Sequence, residues 1–207
     1  MRRTTASLPA IIGITLLAAA AGQAKQPEGP SDVTVCVRNT IIATPGAIER
    51  AKLVAKNMFA SIGISVAWRG ELSEHEQGVF INVVLTSGGP GDEEGGALAE
   101  AYPFAIEHDI TIRYDRVHNS AGVSKELEPL ILAHVLAHEI THVLQCVDRH
   151  SETGIMKARW TSDDYYDMRW KPLEFTPEDV QLIHLGMQVL RSRAEAHTEA
   201  GHPVQSR

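Results

Sequence analysis

From Ser31 onward the apolar and polar positions fall into blocks of two periods, one for strands and one for helices. VTVCVR at 33–38 alternates in the manner of a half-buried strand. Ile48, Leu53, Val54, Met58 and Phe59 then recur at helical spacing. Thr44 stands as the cap and Pro45 in the first turn, and the helix is expected to close near Gly63. Residues 64–68 and 79–85 are short β-branched runs, the second continuous enough to predict burial on both faces. Segment 87–96, SGGPGDEEGG, predicts a surface loop, since its glycines lack the spacing of a phosphate cradle. Residues 97–102 and 109–114 complete five strands, the last clearly alternating. Ser124 and Pro129 open a second long helix through Leu130, Ile131, Val135 and Leu136. A third starts at Thr176-Pro177-Glu178-Asp179, with Thr176 as cap and two acids at the positive end of the dipole. Beyond about Arg191 the chain turns polar, and 192–207 is expected to be a disordered tail. The pattern predicts an α/β (α+β) domain over 25–191, with a mixed, twisted five-stranded sheet packed on two long helices.

The first 24 residues have a different character. Arg2 and Arg3 precede an apolar run from Leu8 to Ala21 and a small-x-small site at 22–24, the layout of a cleavable secretory signal. The run is shorter than the roughly 20 residues a spanning helix needs, so a secreted or periplasmic protein is expected rather than an anchored one. The net charge of −7 becomes more negative still without Arg2 and Arg3, which argues against a nucleic-acid partner. Export also bears on the two cysteines, Cys36 and Cys146, which form either one disulfide or two buried thiols.

Chemistry concentrates in HEITH at 138–142. His138 and His142, four apart on a helix, share one face, and their rings can converge on one zinc ion at about 2.0–2.1 Å. Zinc lowers the pKa of bound water towards roughly 7, and a carboxylate such as Glu139 can then take the proton as water attacks a polarised carbonyl. Ten histidines leave room for a chance match, but the motif lies inside a segment already predicted to be helical, with further donors just beyond. His134 extends the row, yet at about 1.5 Å rise per residue it lies about 12 Å from His142, so one ion cannot take both. It is expected in the core or orienting a ligand. The third ligand must follow the helix, where Asp148 and His150 both stand in QCVDRHSETGIM.

HEITHVLQ followed by DRHSETGIM resembles the metzincin arrangement of HExxHxxG, a third ligand and a downstream methionine turn, here Met156. ALAEAYP with HDITIRYD, and FTPEDVQLIHLG, are similar to the strands and closing helix of the matrixin branch. The resemblance implies a metzincin-like zincin fold with a methionine turn and C-terminal helix, and a zinc metalloendopeptidase. Two departures stand out. Gln145 replaces the family glycine, and Asp148 falls where the third ligand is expected, as in the snapalysins. His150 is the preferred donor, because imidazole suits zinc and two extra residues can build the turn that the missing glycine cannot.

The expected site is therefore His138, His142 and His150 on Zn2+ with Glu139 as general base, acting on a peptide or protein substrate in a monomer. By resemblance, residues 97–102 form an edge strand able to pair with an extended peptide. Trp160, Tyr165, Tyr166 and Trp170 are assigned no catalytic role. The competing readings are a zinc-stabilised binding module, a zinc amidase acting on a non-peptide or cell-wall amide, and a gluzincin ligated by Glu174 or Glu178.

Overall fold

The computed structural model describes residues 31–44, 46–70, 78–88, 96–103, 108–122 and 124–200, with side chains described to 196. The expected leader at 1–24, most of the glycine-rich loop and residues 201–207 of the expected tail lie outside the described residues. Among the described residues no helix is long and apolar enough to cross a membrane.

The strand periods translate directly into a sheet. Strands β1 (Val33–Asn39), β2 (Val66–Arg69), β3 (Val79–Thr86), β4 (Ala99–Ala101) and β5 (Asp109–Arg113) lie in the order β2-β1-β3-β5-β4. Every pairing is parallel except β4 with β5, so the sheet is mixed, as expected. Val33 sits in register with Val66 and with Val79, which places β1 between its neighbours. Val79, Ile81, Val83 and Leu85 on β3 are buried while the residues between them are half-buried. The expectation of burial on both faces is thus corrected: one face carries the core and the other is partly covered.

Helix α1 (Ala47–Ala60) differs from expectation at its start and on its buried face. Its cap is Gly46, at φ 76°, and not Thr44. The Thr44 hydroxyl instead donates to Glu128 Oε2 at 3.0 Å, and the Thr44 carbonyl accepts the Ala47 N–H at 3.0 Å. Ala47, Ala51, Ala55, Met58 and Phe59 are buried, whereas Leu53 is exposed. The alanine stripe keeps this face narrow where α1 packs on α3 (Glu128–Gln145).

Helix α3 is buried along nearly its whole length, including Glu128, whose carboxylate takes donors from Thr44 and Tyr114 and faces His118 Nδ1 at 3.0 Å. A helix apolar around its circumference belongs at the centre of a domain. Tyr114, expected to end the last strand, begins α2 (Tyr114–Ala121), held by buried Val117 and Ala121. A short α4 (Ser162–Asp167) carries a capping box between Thr161 and Asp164 that the periodicity did not reveal.

The closing helix α5 (Pro177–Ala200) starts where predicted. The Asp179 N–H donates to Thr176 Oγ1 at 3.1 Å, and Asp179 Oδ2 accepts the Thr176 N–H at 3.0 Å. It continues past Arg191 to Ala200, into the segment expected to be disordered. Arg191 donates to Asp32 and so ties α5 to the start of β1. Along its buried face Gly186 meets the end of α3, where an added Cβ would lie 2.0 Å from the Leu144 carbonyl oxygen. Cys36 and Cys146 are not bridged; of the two thiols expected in that case to be buried, Cys36 is buried and Cys146 only half-buried.

Candidate metal centre

One face of α3 and the loop after it bring three imidazoles together. His138 and His142, one turn apart, are 9% and 6% exposed, with their Nε2 atoms 3.1 Å apart. His150, from the following loop, is exposed and stacks on His138 with ring centroids 5.3 Å apart. One ring nitrogen from each of the three lies within 4.8 Å of the others. Donors about 2.1 Å from a single ion lie about 3.4 Å apart, so small side-chain adjustments suffice for all three to share one. Asp148 is exposed at the rim of the same cleft and does not join this group.

The way the chain leaves α3 explains how His150 arrives. Gln145 keeps helical geometry, and its side-chain amide donates to the Asp179 carbonyl at 3.3 Å. The reversal falls one residue later, at Cys146, which takes a left-handed conformation with φ 53° and ψ 31°. A non-glycine residue there costs on the order of 1 kcal/mol, which the packing of the turn must offset.

The surroundings set the protonation states. His138 Nδ1 lies 2.8 Å from the Ile155 carbonyl and therefore donates to it, which leaves Nε2 with its lone pair facing the other rings. Burial first, then the His142 and His150 rings, push His138 down to about 4, against the opposing pull of the Ile155 carbonyl and Asp179. Burial and His150 lower His142, opposed by Asp148 and by the Val147 carbonyl, which falls short of good hydrogen-bond geometry. Neutral imidazoles of this kind are metal donors without further deprotonation. Glu139, 8% exposed, is pushed up to about 8 by burial and then by the negative charges of Glu100 and Asp148. A cation held by the histidines acts in the opposite sense and favours its carboxylate.

Behind the cluster the segment 150–157 folds back on itself. The Ser151 N–H donates to the Met156 carbonyl at 2.7 Å, and the Ile155 N–H to the Glu174 carbonyl at 3.0 Å. Gly154, at φ 75°, approaches so closely that a Cβ would lie 2.2 Å from the Glu174 oxygen. Met156 is wholly buried. Trp160 Nε1 donates to the Ile155 carbonyl, which already accepts from His138, and the indole stands edge-on to both His134 and His138.

His134, as expected, stays out of the cluster. It is fully buried, its Nδ1–H donates to the Leu130 carbonyl at 2.7 Å, and its Nε2 accepts the Leu173 N–H at 3.0 Å. Burial lowers it to about 4. The unfolded chain therefore binds a proton below about pH 6.5 that the folded chain refuses until about pH 4. This contribution is whole above pH 6.5 and declines through that window at up to about 1.4 kcal/mol per pH unit. Denaturant midpoints at pH 7 and pH 5 should fall further for the parent than for His134→Gln; equal falls would show that His134 does not carry the effect.

The cluster opens into a cleft of about 600 Å³. Its lining includes Ala99, Glu100 and Ala101 of β4, Glu139 and Asp148, and Lys157, Trp160 and Tyr165, together with the three histidines. Trp160 and Tyr165 thus belong to the cleft lining, whereas Trp170, which is exposed, contributes to a separate pocket lined by 170–177 with Thr153, Gly154 and Asp167.

No protein-family model and no curated protein matches the sequence. Similarity appears at the level of the fold. The crystal structure of archaemetzincin from Methanopyrus kandleri superimposes with a TM-score of 0.53 at 13% identity, over 79% of this chain and 99% of that one. The mixed five-stranded sheet with its helices is thus similar in fold to that structure, in agreement with the α/β fold expected from the sequence.

Proposed function

We propose that this chain is an exported zinc-dependent metalloendopeptidase of metzincin type, with His138, His142 and His150 as metal ligands and Glu139 as general base. The observation that carries the reading is the three-imidazole cluster, whose ring nitrogens converge beside the buried Glu139 in an open cleft. Bound zinc supplies a Lewis acid that polarises the scissile carbonyl and acidifies water. The residues of the chain do the rest. Glu139 takes a proton from the attacking water and returns it to the leaving nitrogen. Strand β4, at the edge of the sheet and in the wall of the cleft, offers backbone groups to an extended peptide. That edge strand favours a peptide over a non-peptide amide. Export rests on the leader pattern at 1–24, and the matrixin likeness on the sequence motifs alone.

Zinc content and cleavage of a peptide library, measured for the parent, His150→Ala and Asp148→Ala, test the ligand set. His150→Ala should lose more affinity than the roughly 10–100-fold that removal of a ligand's hydrogen-bond partner costs, while Asp148→Ala keeps its zinc. The reverse pattern would transfer the third position to Asp148. A parent that neither binds zinc nor cleaves peptide would remove the proposal altogether.

A further inference from the structure

The residues on either side of His150 converge on one carboxylate. Arg149 Nη1 donates to Asp179 Oδ1 at 2.8 Å, and the Ser151 hydroxyl donates to the same oxygen at 2.7 Å. Asp179 is fully buried at the first turn of α5, and its other oxygen, Oδ2, serves the helix start through Thr176. The carboxylate therefore divides its work: Oδ2 caps α5, and Oδ1 bridges 149 to 151 across His150. Three further bonds hold the same span. Arg149 Nη2 reaches Glu178 at 2.9 Å, the Ser151 N–H closes on Met156, and Gln145 binds the Asp179 backbone carbonyl.

This arrangement solves a specific problem. His150 is exposed and lies in a loop that leaves α3 through a strained Cys146 without a glycine turn; its ring packs against His138 and His142, and the backbone that presents it needs a restraint of its own. Charge-assisted bonds to a buried acceptor are the strong kind, and a bridge over one residue restrains that residue's backbone directly. We infer that Asp179, acting through Arg149 and Ser151, is a positioning residue that sets His150 for metal binding. The inference rests on the proposed ligand set.

Zinc affinity by competition with a chromogenic chelator, the visible spectrum of the cobalt(II) form, and thermal melting test it on the full chain. Arg149→Met and Asp179→Asn should weaken zinc about 10–100-fold and alter the cobalt bands. Thr176→Val removes hydroxyl bonds at the helix start and leaves Oδ1 to its two donors; it should lower Tm and keep the parental affinity and spectrum. Should Asp179→Asn fail to fold, Arg149→Met decides, because Arg149 is partly exposed. Parental affinity and bands in folded Arg149→Met would overturn the inference, as would an equal loss in Thr176→Val, which would reduce the cluster to a helix cap. A parent that binds no zinc would instead overturn the ligand set beneath it.

Discussion

Glu139→Gln should still load with zinc and hydrolyse peptide about 10³-fold more slowly, within the 10²–10⁴ range that positioned general acid–base groups contribute. The amide has nearly the carboxylate's size, so the buried position beside His138 remains filled. It has no basic oxygen able to accept the water's proton, and that is the function removed. Glu139 lies outside the histidine cluster, so metal content should not follow activity. Measuring kcat/KM at saturating zinc alongside zinc content separates the possibilities. Undiminished turnover would show that another group is the base. A parent that holds zinc without cleaving would point to the binding-module reading.

Gly186→Ala is expected to lower Tm by about 5–10 °C. In an open helix the change would stabilise by roughly 0.5–1 kcal/mol. Here the new methyl group would meet the Leu144 oxygen at 2.0 Å and the Gln145 carbonyl carbon at 2.9 Å, both backbone atoms of the last turn of α3. They cannot swing aside as a side chain can, so α5 must shift, at about 1–3 kcal/mol or more for overpacking. For a domain of this size each kcal/mol moves Tm by about 2–4 °C. The same turn leads into the loop of His150, and Asp179 rides on α5 two turns before Gly186, so zinc affinity should fall as well. A variant as stable as the parent would mean that the two helices are not in this contact.

The parts of this molecule governed by local pattern were legible in advance. The β-branched runs produced the strands, and the i, i+4 histidines fell on one face of α3. Thr176 and Asp179 formed the expected helix start because both partners lie within one turn. Expectation failed where a distant group competed. Thr44 has the chemistry of a cap, but Glu128, 84 residues away, claims its hydroxyl. Tyr114 fits a strand by propensity, yet its hydroxyl donates to the same buried carboxylate and its backbone turns into α2. The start of α4 carries a capping signal in Thr161 and Asp164, but no apolar stripe follows to mark it as a helix. At the site, His150 could be preferred over Asp148 on chemistry, but only the path of the loop through Cys146 brings its ring to the other two. The contact of Arg149 and Ser151 with Asp179 spans about thirty residues and leaves no mark in any short motif.

The three-residue length of β4 bears on how the protein behaves at high concentration. A strand at the border of a sheet invites the border of another molecule, and long, flat, uncharged borders grow into aggregates. At about 3.4 Å per residue β4 presents only about 10 Å of such border. Its one outward residue, Glu100, is charged and paired with Arg113 of β5. The border is long enough to align a short stretch of extended chain, and its shortness disfavours pairing with a second copy of itself.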